Sequence, residues 1–134
     1  GRRLAALRDG FEARLREAYP GLDVHGAGAP RVPNTSSFHL PGLPGRHLVI
    51  RLDLAGFAIS TGSACSTGSA RPSHVLEAMG YPAATARDSL RVSLGAPTTS
   101  VEIDHLLEAL GAATAHPGEG SIGRPVAAVP ARTQ

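Results

Sequence analysis

Residues 89–95 read Ser89-Leu90-Arg91-Val92-Ser93-Leu94-Gly95. Apolar and polar side chains alternate, which is the period of a strand with one buried face, and Gly95 closes the run. Leu90, Val92 and Leu94 fall on one side, with Arg91 and the two serines on the other. Just downstream, Thr99-Ser100-Val101-Glu102 has the spacing of a capping box. It opens a helix that carries Ile103, Leu106, Leu107 and Leu110 on one face and is expected to end near Gly111. A half-buried strand followed by a one-sided helix sets the class as α/β.

The elements upstream fit that class. Leu4, Leu7, Phe11, Leu15 and Ala18 share one helical face across residues 2–19, and Pro20-Gly21 stops the helix. Leu22 to His25 is a short strand candidate, Gly26 to Pro33 a turn-rich loop, and Asn34 to Leu40 a strand. Pro41 to Gly45 is a loop. Leu48, Val49, Leu52 and Leu54 mark a short helix over 46–55 that Gly56 ends. Ser73 to Met79 and Ala83 to Asp88 read as two further short helices, the first closed by Gly80. The expectation is a small mixed or antiparallel sheet of three or four strands, with helices mainly on one face. Residues 1–111 form the folded domain. Residues 112–134 are mostly Ala, Gly, Pro and Arg with little to bury, and read as a disordered tail.

Composition narrows the function classes. The 134 residues suffice for one domain with its own core. No apolar run approaches a membrane span, and the absence of a leader points to the cytoplasm. A net charge of +2, scattered basic residues and no tryptophan argue against a nucleic-acid surface. One cysteine excludes an internal disulfide and a multi-cysteine zinc site. His39 and His47 share no metal-ligand spacing and read as half-buried or surface residues. The chain contains no lysine, so it offers no amine for a Schiff base to a cofactor aldehyde. It begins at Gly1 within a helical pattern, which reads as a fragment.

The cysteine is Cys65. It lies in Gly-Phe-Ala-Ile-Ser-Thr-Gly-Ser-Ala-Cys-Ser-Thr-Gly-Ser-Ala-Arg-Pro, residues 56–72. Thr61 to Arg71 is mostly Gly, Ser, Thr and Ala, which can build no core, so it reads as a long, adaptable, exposed loop with a thiol near its middle. Arg91 supplies a second candidate. A guanidinium on a strand is a rigid fork suited to a carboxylate or phosphate, and a structural ion pair accounts for it equally well. Cys65 to Arg71 also fits C-x-x-G-x-x-R, the loop of thiol phosphatases, with Cys65 as nucleophile and Arg71 on the phosphate. Ala64 before the thiol and Pro72 after Arg71 depart from that pattern.

Asp53 to Ser66, then Pro72 to Gly80, then Ser89 to Gly95, resemble in order and spacing the C-terminal small domain of a cysteine desulfurase. The resemblance is to the NifS/IscS-like group with the long loop, within aminotransferase class V. Pro33-Asn34-Thr35 and residues 98–107 match the same layout, so it covers about residues 1–110. It implies the small domain of a fold-type I pyridoxal-phosphate enzyme that converts L-cysteine to L-alanine and leaves sulfur as a persulfide on Cys65. Arg91 matches the residue that holds the substrate carboxylate. The resemblance implies pyridoxal phosphate held mainly by an N-terminal domain not in this chain, a homodimer, and sulfur delivery to an iron–sulfur scaffold or a carrier for tRNA thiolation. Cys65 would touch a nascent iron–sulfur cluster only transiently, in company with the scaffold. A stand-alone sulfur carrier or scaffold-docking domain without cofactor is the non-enzymatic alternative.

Overall fold

The computed structural model describes residues 1–61, 63–64, 71–72 and 74–115, with 63–64 and 71–72 described as backbone only. Helix α1, Arg2–Ala18, buries Phe11 and Leu15 and half-buries Leu4 and Leu7, the stripe its spacing predicts. Strands β1, Asp23–Val24, and β2, Thr35–His39, follow. Helix α2 is Gly45–Leu54 and strand β3 is Ser60–Thr61. Strands β4, Ser63–Ala64, and β5, Arg71–Pro72, come next. Two short helices, α3, His74–Ala78, and α4, Ala83–Asp88, precede strand β6, Leu90–Ser93, and helix α5, Ser100–Thr114.

Among the described residues the main sheet has four antiparallel strands in the order β1-β2-β6-β3. Ser36 pairs with Val92 and Phe38 with Leu90. All four point to the buried face, where α1, α2 and α5 cover them. Phe11 meets Phe38 edge to face, with centroids 6.0 Å apart. The other face carries Thr35, Ser37, Arg91 and Ser93, partly or fully exposed. This is the predicted α/β arrangement, with the sheet wholly antiparallel.

Two boundaries differ from the expectation. Helix α5 passes Gly111 and ends at Thr114. Gly111 is buried there. Tyr19 Oη lies 2.9 Å from Thr114 Oγ1, and Arg51 donates to the Ala113 carbonyl at 3.0 Å. Arg51 caps one of the last carbonyls and Tyr19 anchors the Thr114 side chain, so the helix continues past the glycine. The expected single loop over 61–71 is also cut shorter. Ser60–Thr61 joins the main sheet, and Ser63 pairs with Pro72 and Ala64 with Arg71 in a second, two-stranded ladder. Polar composition did not prevent this backbone pairing, because ladder hydrogen bonds need no apolar side chains.

Glycines frame this region on both sides. Gly56 follows α2 at φ +99°, with Phe57 N–H donating to Leu52 O and Gly56 N–H to Asp53 O. Gly80 follows α3 at φ +99°, with Tyr81 N–H donating to Leu76 O and Gly80 N–H to Glu77 O. Both are Schellman closures, which need a residue that tolerates positive φ. Among the described residues, no helix is long and apolar enough to cross a membrane.

Candidate active site

Arg91 is the central residue of the polar sheet face. The register sets Ser37 directly opposite it on β2 and Ser60 opposite it on β3, giving a polar row across three strands. Arg91 is exposed, and its Nη2 donates to Ser60 Oγ at 3.3 Å. None of the ion pairs among the described residues involves it. The structural ion pair that could have explained Arg91 is therefore absent among those residues. One edge of the guanidinium rests on a hydroxyl, and its charge is left without a carboxylate partner there. Such a group on a rigid strand suits a bidentate grip on an incoming carboxylate.

Strand β3 connects Arg91 to the thiol segment. Ser60 and Thr61 pair with Arg91 and Leu90. One residue further on the chain enters the β4–β5 ladder, whose inner ends are Ala64 and Arg71. Cys65 and the rest of the C-x-x-G-x-x-R reading up to residue 70 lie outside the described residues. Arg71 is described only as a ladder partner. The predicted exposure of the Cys65 loop and the disordered tail over 112–134 likewise fall on residues that are largely outside the described set. Among the described residues no group of His, Cys, Asp and Glu could hold a metal ion.

Two buried polar clusters escaped the sequence reading. Glu12 faces inward from α1 and is only 2% exposed. Arg31 grips it with two bonds of 2.9 and 3.0 Å, and Ser36 donates to it at 2.6 Å. Burial raises the carboxyl pKa, but the bonds from Arg31 and Ser36 and the charges of Arg31 and Arg8 outweigh it, leaving Glu12 below the usual range. This clasp fixes the 26–33 loop ahead of Asn34. Asn34 in turn bonds Leu94 at both ends: its carbonyl accepts from Leu94 N–H at 2.8 Å and its side chain donates to Leu94 O at 3.3 Å.

The second cluster centres on His25, 4% exposed and immediately beyond β1. Its Nε2 lies 2.8 Å from Ser89 Oγ, and Ser89 Oγ donates to Thr85 O at 2.7 Å. The Tyr81 ring stands edge-on with centroids 4.2 Å apart. No motif or spacing marks either cluster. Their members are far apart in sequence, and only the fold brings them together.

The aminotransferase class-V family model matches residues 2–106. The chain belongs to this family. A cysteine desulfurase of Klebsiella pneumoniae is 39% identical over 107 residues, 80% of this chain and 27% of that protein. A cysteine desulfurase IscS of Clostridium botulinum is 44% identical over 103 residues, 75% of this chain and 25% of that protein. Among solved structures, a NifS-like protein from Rickettsia africae matches with a TM-score of 0.71 and 27% identity, covering 83% of this chain and 28% of that one. The chain spans about a quarter of the length of the curated relatives it matches. The resemblance carried by residues 53–95 and the α/β fold agree with these findings.

Proposed function

We propose that this chain is the sulfur-accepting part of a cysteine desulfurase, with Cys65 as the acceptor and Arg91 as the grip on the substrate carboxylate. The observation that carries the reading is the pairing of Arg91 with β3, the strand that leads into the Cys65 segment. It joins carboxylate binding and the thiol loop in one piece of sheet. In the balanced reaction, L-cysteine and the Cys65 thiol give L-alanine and a Cys65 persulfide. The substrate Cβ–S bond breaks, an S–S bond forms on Cys65, and Cβ gains hydrogen. Thiolate is the attacking form, and a cysteine near its ordinary pKa is a capable nucleophile at neutral pH.

Enzymes of this family use pyridoxal phosphate, which supplies the electron sink that makes the substrate sulfur attackable. This chain does not fit the cofactor by itself, since it has no lysine to hold the aldehyde. Polypeptide beyond these residues would have to provide that amine. With one cysteine, the chain cannot release the persulfide as an internal disulfide. Delivery to a scaffold or carrier protein follows, and a homodimer and a cytoplasmic location belong to the same reading.

The test uses the complete encoded protein with L-cysteine. Equal alanine and sulfane sulfur, with a gain of one sulfur atom on the Cys65 peptide by mass spectrometry, is the expected result. Cys65→Ser should abolish persulfide transfer and keep the cofactor absorbance. Alanine-linked sulfur transfer that persists in Cys65→Ser would overturn the assignment. Persulfide uptake on Cys65 from an external donor, with no alanine formed, would replace the enzyme by a sulfur carrier.

A further inference from the structure

We infer that His25 is a positioning residue: through Ser89 it latches helix α4, and so the ladder at the base of the thiol segment, in place while its imidazole is neutral. The name thiol segment rests on the function proposed above; the latch itself rests on geometry. Helix α4 packs against both β4 and β5, the two strands of that ladder. On its other side the helix is held at its C-terminal end. Ser89 spends its hydroxyl proton on Thr85 O within the last turn, so it can only accept from His25. That fixes the tautomer with hydrogen on Nε2 and leaves Nδ1 as a bare acceptor. Nδ1 is buried and has no hydrogen-bond partner among the described residues. Backbone bonding seats His25 itself, because its N–H donates to Ser37 O at 2.8 Å. Gly45, at the start of α2, closes the end of α4. A Cβ there would stand 2.3 Å from Asp88 O.

Protonation would place hydrogen and charge on Nδ1, where no described residue accepts them. Burial already disfavours the charged ring, the β2 residue His39 adds to that, and Asp23 beside it on β1 opposes it. Tyr81, from the turn between α3 and α4, offers only its ring. The net result is a folded pKa below the ordinary value. A depressed folded pKa means the latch contributes fully above the pKa of the released ring, about 6.5, and weakens as pH falls below it.

The experiment is hydrogen exchange by mass spectrometry on the complete encoded protein, following the amides of residues 63, 64, 71 and 83–88 from pH 8 to pH 5.5. After correction for intrinsic exchange, the wild type should open more readily at pH 5.5 than at pH 8, with the titration of the released ring setting a ceiling of about tenfold. His25→Gln places an amide donor near Nε2 and cannot titrate, so it should keep protection at pH 8 and lose the acid response. His25→Asn cannot reach Ser89 and should exchange fast at every pH, with persulfide formation on Cys65 slowed and KM for the amino acid unchanged. Full protection in His25→Asn, or an acid response that survives in His25→Gln, would overturn the latch. The exchange readout does not depend on catalysis, so failure of the proposed activity would leave it interpretable.

Discussion

Arg31→Met is expected to expose how much the clasp around Glu12 contributes. The substitution keeps the aliphatic bulk and removes two bonds of 2.9 and 3.0 Å to a carboxylate that is 2% exposed. Ser36 at 2.6 Å remains as the direct hydrogen-bond donor. Removing one partner of a buried pair costs about 3–5 kcal/mol, because the other charge stays buried. The side chain of Arg31 is 18% exposed and Arg8 still acts at a distance, so the lower figure applies. At about 4 °C per kcal/mol for a domain of this size, Tm should fall by roughly 12 °C. The pH dependence gives a sharper check. In the wild type the lowered Glu12 pKa contributes stability that is present above the unfolded value, about 4.3, and is lost as pH falls through the folded one. In Arg31→Met the two bonds and the charge of Arg31 are gone, so burial, the largest single influence, moves the Glu12 pKa up relative to the wild type. The gap between the two proteins should therefore be wide at pH 7 and narrow near pH 4. Calorimetry at both values reads this directly. Equal gaps at the two pH values, or a loss below about 1 kcal/mol at pH 7, would refute the reasoning.

Two other outcomes follow from contacts of Gly45 and Ser60. Gly45→Ala drives a methyl to 2.3 Å from Asp88 O and 2.7 Å from its carbonyl carbon, so backbone must shift; about 1–3 kcal/mol of destabilisation is expected in urea unfolding, and an unchanged midpoint would show that α2 and α4 can part cheaply. Ser60→Ala removes the 3.3 Å bond that orients Arg91, which should raise KM for the amino acid about two- to fivefold with kcat unchanged, while Ser60→Thr restores it; an unaltered KM would show that Arg91 needs no such support.

The strands and helices were legible where a single period dominates. The alternation over 89–95 gave both β6 and the orientation of Arg91, since a strand can bury Leu90 and Val92 only by turning Arg91 outward. Thr99 and Glu102 gave the start of α5, and the capping box is formed as read. What stayed hidden was polar and non-local. Glu12 sits beside Phe11 at the edge of an apolar stripe, and only the return of Arg31 and Ser36 to that edge makes its burial tolerable. His25 follows a two-residue strand that any turn-rich stretch could contain. The β4–β5 ladder was illegible for another reason. Its residues carry no pattern, and it exists because α4 packs against it and the ends of the segment are held elsewhere.

That ladder bears on how a thiol on this chain could serve two sites. Ala64 is paired, and the next residue is Cys65, whose Cα lies one peptide, about 3.8 Å, from it. While the ladder stands, Ala64 is the nearest paired residue upstream of Cys65. Once it opens, the nearest fixed point upstream is Thr61 on β3, four residues before Cys65. Four extended residues span about 14 Å. On the function proposed above, a short reach suits collection of sulfur beside Arg91, and the longer one suits delivery to a protein that cannot enter the site. The two reaches differ by the opening of two strand pairs, an equilibrium that α4 biases on one side and the Arg91–Ser60 pairing leaves untouched on the other. On the function proposed above, α4 would then bias sulfur delivery separately from the grip of Arg91 on a carboxylate.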